Sequence, residues 1–273
     1  MKFLIYFLIG GGIFLSACEQ KGKHFSGAVA YWSFSDENDL TIDNSQLREK
    51  GSLQWVKLDG DALRESRQRG GDGKAVKLDG SGWLDAVQGA NDELNITGKQ
   101  ITIAIRVKAD SLKELNPVIT KSGDDQSIAY SLTLVKKGED VFIQSMIGSD
   151  DIGGAHLLNY KLPEEEWYNW HDIVFRFNGR VSELYVDGLL RDDEITVGEI
   201  RDWNRRPVLI GAVYNSSDGY VPGADYTPAA TFIGMIDEAG IWNRYLEDKD
   251  VALFSGVREL KDGKPVYYQE KYR

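Results

Sequence analysis

The sequence predicts an all-β body, a sandwich of two antiparallel sheets, on three observations. Within residues 167–193, apolar Ile173, Phe175 and Phe177 alternate with Asp172, Val174, Arg176 and Asn178, the period of two that puts one row on one face of a strand. The same alternation runs through Ile101, Ile103, Ile105 and Val107. Glycine is plentiful at 29 residues and proline scarce at 6, which suits a chain of many tight turns, and no stretch keeps a helical period. A sheet with one apolar face must bury it, so a second sheet is required.

The chain has 273 residues, 42% of them hydrophobic, enough for one large β domain or two small ones. A formal charge of −11 argues against nucleic acid or an anionic membrane surface as a partner, because phosphate would be repelled. Residues 1–17 read as a signal peptide: Lys2 opens it, and the apolar run that follows is too short to span a bilayer comfortably. The run ends in Leu15-Ser16-Ala17-Cys18, which resembles the lipobox of bacterial lipoproteins. That resemblance implies lipidation of Cys18, an N-terminal lipid as the membrane attachment, and a place in the cell envelope. The alternative is a lone cysteine after an ordinary signal peptide. Cys18 is the only cysteine, so no intrachain disulfide can form. Residues 18–27 are then a polar tether, 28–256 the folded domain and 257–273 a tail or linker.

Within the domain, residues 28–34 read as a buried strand and 35–45 as an acidic loop. A VKLDG pentapeptide at 56–60 returns at 76–80; one short match is no repeat array, so these are two strands of similar chemistry. The charged, glycine-bearing segment 64–73 between them reads as a loop. Strands follow at 117–121, 130–135 and 141–147, with 148–166 a longer connection. Asn178-Gly179 predicts a type I′ hairpin, and Asp187-Gly188 a second turn. Residues 208–213 read as a strand, 214–230 as a long loop holding three tyrosines, 232–242 as the last long strand, and 246–254 as a short helical turn.

Taken in order, YWSF, GKAVKLDGSGWLDA, ITIAIRVKAD, WHDIVFRFNG, ELYVDGLL, LIGA and FIGMIDEAGIWNRYLE resemble the laminin-G-like, concanavalin A-like jelly-roll domains of secreted bacterial proteins. The resemblance covers residues 28–254. It implies a jelly roll of two antiparallel sheets in a family of mixed function: carbohydrate-binding modules, lectin-like domains beside glycoside hydrolases, and adhesion modules. The tail GKPVYYQEKYR resembles the linker by which some bacterial fructan hydrolases pass from a jelly roll into a β-propeller, although an ordinary tail fits as well.

No catalytic residue is assigned. A retaining glycosidase needs two carboxylates on one face, about 5 to 5.5 Å apart. Asp237 and Glu238 are adjacent, so on a regular strand they point to opposite faces. The three histidines stand far apart, and no G-x-S-x-G elbow occurs. A structural Ca²⁺ is a candidate cofactor, since the loop of Asp36, Asp39 and Asp43 offers the oxygens it wants. The resemblance adds Asp237 as the ligand from across the chain. Solvated loop acids are the plainer reading.

Sugar recognition needs flat apolar faces with a few polar groups around them. Tyr214, Tyr220 and Tyr226 lie in the glycine-, serine- and aspartate-rich loop, and Trp83 follows Gly80-Ser81-Gly82 at a loop rim. Arg106, Gln144 and His171 form a polar row that could face the open side of a sheet, although a satisfied strand histidine is the plainer reading of His171. Trp32, Trp167, Trp170 and Trp242 belong to the core because they punctuate apolar strands. The expected function is non-catalytic glycan binding on a lipid anchor, accessory to breakdown of a fructan-type polysaccharide. A protein–protein adhesion or scaffold role and a glycoside hydrolase or lyase are the alternatives.

Overall fold

A computed structural model describes residues 27–34, 41–42, 45–68, 73–87, 93–122, 128–149, 154–201, 207–215, 226–261 and 264–267. The early strands are β1 (Ala30–Trp32), β2 (Thr41–Ile42), β3 (Ser45–Lys50), β4 (Leu53–Lys57), β5 (Lys74–Asp79) and β6 (Trp83–Val87), with helix α1 (Gly60–Gln68) between β4 and β5. Then come β7 (Ile101–Ser111), β8 (Leu115–Ser122), β9 (Ile128–Lys137), β10 (Asp140–Ser149) and β11 (Gly154–Pro163). The central meander is β12 (His171–Phe177), β13 (Val181–Val186) and β14 (Leu189–Ile195). Next are β15 (Val208–Ile210), β16 (Ala212–Tyr214), β17 (Pro228–Thr231), β18 (Ile233–Trp242) and helix α2 (Asp248–Phe254). A small hairpin, β19 (Val257–Lys261) with β20 (Lys264–Tyr267), follows.

Two large antiparallel sheets form the sandwich. The first is ordered β14-β13-β12-β7-β18-β5-β4, with β1 added to β18; the second is β11-β10-β9-β8-β15-β6-β3-β2. Ile101, Ile103 and Ile105 of β7 and Ile173, Phe175 and Phe177 of β12 meet Leu132, Leu134, Val141 and Ile143 of the second sheet in one buried cluster. Each such side chain contributes about 1.5 to 3 kcal/mol by leaving water. The two VKLDG copies feed β4 and β5, which pair with each other through Trp55 opposite Val76.

Several sequence expectations need correction. Residues 64–73 were expected to be loop, but α1 runs to Gln68, and its polar face meets charge instead of oil. Glu65 bonds to Arg106 and Ser66 donates to Asp237, so tertiary hydrogen bonds replace the missing apolar stripe. The connection 148–166 contains β11, which pairs with β10 along its length, and then a 3₁₀ turn at Glu164–Tyr168. The strand at 208–213 is split at Gly211. Gly179 has a positive φ of 84°, but Asn178 does not; the Asn178 side chain instead accepts from the N–H groups of Arg180 and Val181 at 3.0 and 2.9 Å. The two left-handed residues that a type I′ turn demands are Asp187 and Gly188, at φ 54° and 73°.

The outer face of the first sheet is also buried. Arg106 and His171, read with Gln144 as a polar row on an open side, have relative exposures of 1% and 6%, and Asp172 and Arg176 beside them are 5% and 3% exposed. Alternation cannot see a helix arriving from elsewhere in the chain. Trp32, Trp167 and Trp242 are core, as read from the sequence, whereas Trp170 is half-buried and lies over the Arg106 guanidinium at 5.1 Å.

Candidate ligand-binding site

The aromatic residues singled out in the sequence meet because of two glycine-dependent turns. In the first, the Asp79 carboxylate accepts from the Ser81 N–H at 2.8 Å and the Ser81 hydroxyl at 2.6 Å. Those bonds hold the Asp79 carboxyl below its ordinary range. Gly80 sits at φ 88°, and its carbonyl accepts from the Thr231 hydroxyl at 2.7 Å. This fixed turn delivers Trp83 to the start of β6, with its side chain on the outer face, since Leu84 and Ala86 point into the core.

The second turn is Gly211, at φ 81°, where a Cβ would lie 2.2 Å from Leu78 Cδ1. The chain there leaves its place between β8 and β6 and folds back as β16, paired with β17. The Thr120 hydroxyl donates to the Ala212 carbonyl at 2.8 Å and holds this flap to the sheet. Leu209, Ala212 and Tyr214 are buried beneath it, with Trp83 and Tyr226 packed against them. The Tyr226 ring lies 5.0 Å from Tyr214 and 6.0 Å from Trp83, tilted to both. The Trp83 indole N–H donates to the Tyr226 hydroxyl at 3.4 Å. Tyr214 was read as a loop residue; it lies on β16 and is buried, so it supports Tyr226 from below.

Trp83 and Tyr226 are half-exposed and line a depression of about 640 Å³, within the usual range for small-ligand sites. Lys113, Glu114 and Thr231 line it as well. Lys113 Nζ lies 3.5 Å from the Thr231 hydroxyl oxygen. Sequence reasoning missed these three residues. The nearest signal was the turn-forming dipeptide Asn116-Pro117, but it lies within the start of β8 and does not itself mark the rim.

The other expected site residues lie elsewhere. Gln144 is on β10, four strands from β6 and so roughly 19 Å away; it donates to Asn159 Oδ1 at 2.7 Å. Arg106 is buried in the other sheet. Its guanidinium meets Glu65, lies 3.3 Å from Asp172 and, through Nε, 3.3 Å from Asp237. Burial opposes the Arg106 charge, but these carboxylates outweigh it and hold its pKa above the ordinary arginine value. Tyr220, Asp36, Asp43 and Cys18 lie outside the described residues.

Asp237 sits at a bulge of β18, between Ile236 opposite Val107 and Glu238 opposite Arg106. The extra residue cancels the alternation, so Asp237 and Glu238 both belong to the Arg106 side, not to opposite faces. One Asp237 oxygen takes the Ser66 hydroxyl at 3.2 Å and the other faces Arg106. A guanidinium that close repels a divalent cation, so this carboxylate does not fit the calcium role. Among the described residues, no group of three or more His, Cys, Asp and Glu side chains is arranged to hold a metal.

His171 is the satisfied strand histidine that the sequence suggested. Its Nδ1 lies 2.9 Å from Asp187 Oδ2 and its Nε2 lies 2.8 Å from the Glu166 carbonyl. Burial lowers its pKa, but the Asp187 bond and charge prevail, and the net shift is upward.

Two large antiparallel sheets packed face to face in this order make a concanavalin A-like sandwich. The profile of the concanavalin A-like lectin/glucanases superfamily, in its laminin G-like form, matches residues 81–252, and the chain belongs to that family. Comparison with the curated proteins finds no match. Among solved structures, domain 4 of AbnA, a GH43 extracellular arabinanase from Geobacillus stearothermophilus in complex with arabinotriose, is similar at TM-score 0.55 and 17% identity. The match covers 85% of this chain and 99% of that one. The binding domain of botulinum neurotoxin DC in complex with SialylT is similar at TM-score 0.56 and 13% identity, over 88% of this chain and 55% of that one. The binding domain of Paraclostridial Mosquitocidal Protein 1 follows at 0.53 and 15%, over 82% and 51%. The chain thus spans about half the length of those two binding domains. At these identities the likeness is one of fold.

Proposed function

We propose that this chain is a non-catalytic carbohydrate-binding module, displayed outside the cytoplasm on a lipid attached at Cys18. The observation that carries the reading is the half-exposed Trp83–Tyr226 pair beside a depression that also offers Lys113, Glu114 and Thr231. Tilted aromatic faces cover the C–H face of a sugar ring while polar groups take its hydroxyls. The arabinotriose held by domain 4 of the arabinanase supports a glycan as the ligand. A non-catalytic role is favoured because the clustered carboxylates Glu65, Asp172 and Asp237 converge on Arg106 below the surface, away from the depression. The polar tether of residues 18–27 and the tail suit a module that assists polysaccharide breakdown, of fructan type in the reading from the tail.

A glycan array probed with the protein and with Trp83→Ala and Tyr226→Ala tests the proposal. Binding to at least one polysaccharide is expected, with a loss of roughly 30-fold in affinity for Trp83→Ala, the effect of deleting a central aromatic contact. Absence of binding to every glycan, or binding indifferent to both substitutions, would overturn it. Labelling with a radioactive fatty acid that is lost in Cys18→Ala tests the anchor.

A further inference from the structure

We infer that the depression takes an uncharged glycan and grips it with a donor–acceptor pair, Lys113 and Glu114, in addition to the aromatic contacts; this rests on the carbohydrate-binding reading above. Lys113 and Glu114 are adjacent on the turn between β7 and β8, both exposed and both lining the depression. Neither makes an ion pair among the described residues, and they do not pair with each other. Among the described residues the Lys113 ammonium has one hydrogen-bond partner, the Thr231 hydroxyl at the long distance of 3.5 Å, which leaves most of its donors for a ligand. Glu114 supplies carboxylate lone pairs to the same space.

The turn that presents them is built. Asn116 is 1% exposed, and its side chain clasps the Lys113 backbone from both sides. Its Oδ1 accepts from the Lys113 N–H at 2.8 Å, and its Nδ2 donates to the Lys113 carbonyl at 2.7 Å and to the Leu134 carbonyl at 3.2 Å. The Glu114 carbonyl accepts from the Lys136 N–H at 2.9 Å. Both residues therefore leave a fixed backbone, and little main-chain freedom remains to be lost when a ligand arrives.

Charge selects the ligand class. Among the described residues, the two charged ones lining the depression are one cation and one anion, so their formal charges cancel. The chain around it has a formal charge of −11. A uronate or sialate would meet Glu114 and that field, with a single lysine to offset them. A neutral sugar meets no such repulsion: neighbouring hydroxyls can accept from the ammonium and donate to the carboxylate, and such charge-assisted bonds are the stronger kind.

Affinity electrophoresis of the whole protein separates the outcomes, with arabinan, levan and a β-glucan as neutral probes and polygalacturonate and alginate as acidic ones. Retardation by a neutral probe and by neither acidic one is expected, unchanged between about 50 mM and about 500 mM salt because no ionic attraction is screened. Lys113→Met and Glu114→Gln should each weaken it about tenfold, the effect of losing one charge-assisted bond. Salt-sensitive binding to an acidic probe would overturn the inference, as would neutral binding that needs Trp83 but is unmoved in both variants. In either case the carbohydrate-binding proposal would stand. Binding to none of the probes and none of the arrayed glycans would remove both.

Discussion

Replacing Arg106 with alanine separates two roles that the residue could have, ligand contact and internal counter-ion. Arg106 is buried against Glu65, Asp172 and Asp237, and the last two are 5% and 0% exposed. Arg106→Ala would strand those carboxylates in the protein without their cation. Removing one partner of a buried pair costs about 3 to 5 kcal/mol, because the remaining charge keeps its desolvation penalty. For a domain of this size each kcal/mol lowers Tm by about 2 to 4 °C, so calorimetry at pH 7 should show a fall of roughly 6 to 20 °C. The stranded carboxylates would bind protons more readily folded than unfolded, so the deficit should shrink as pH falls toward the carboxylate range. Glycan affinity, measured below the lowered Tm, should match that of the parent, because Arg106 lies in the sheet opposite the depression. A Tm change under about 2 °C would refute the counter-ion reasoning. A tenfold loss of affinity with the fold intact would restore the ligand role read from the sequence.

The remaining predictions concern His171, Asn116 and metal dependence. Both His171 ring nitrogens face acceptors, and only the protonated ring can donate to both. Its folded pKa is raised, so its contribution is full below the unfolded value near 6.5 and is lost as pH rises through the folded value. Urea titrations from pH 5.5 to 8.5 should show that decline, and His171→Gln should flatten it; an equal slope in both would contradict the assignment. Asn116→Ala should cost about 2 to 3 kcal/mol in urea unfolding, from three backbone groups left with weaker partners, and should also weaken glycan binding through the loosened turn. Chelator should leave Tm unchanged, since Asp237 is committed to Arg106 and Ser66; a chelator-induced fall would point back to Asp36 and Asp43.

The strands were legible where burial is one-sided and periodic, and hidden where it is not. Ile173, Phe175 and Phe177 announce an inner face directly, and they occupy it. β3, with Leu47 as its lone apolar residue, carries no such period, and its place next to β6 comes from pairing alone. Asp237 was misjudged because a bulge removes the alternation that the argument assumed, and adjacent residues do not reveal a bulge. α1 was missed because its contacts are ionic and distant, from Glu65 to Arg106 and from Ser66 to Asp237.

The site divides along the same line. Trp83 and Tyr226 could be named from sequence because an aromatic among glycine, serine and aspartate is out of place unless it packs or binds. Here each does some of both, resting on buried Tyr214 and Leu209 while leaving part of its ring open. Lys113 and Glu114 could not be named, since two opposite charges in a turn look like any solvated turn. What sets them apart is Asn116, whose buried amide closes on the Lys113 backbone, and the flap β16–β17, which brings Thr231 beside the ammonium. The flap depends on the chain leaving the sheet at Gly211, where a side chain would collide with Leu78. The depression therefore rests on two glycine turns and one buried amide, and its polar side is held by backbone bonds that form before any ligand arrives.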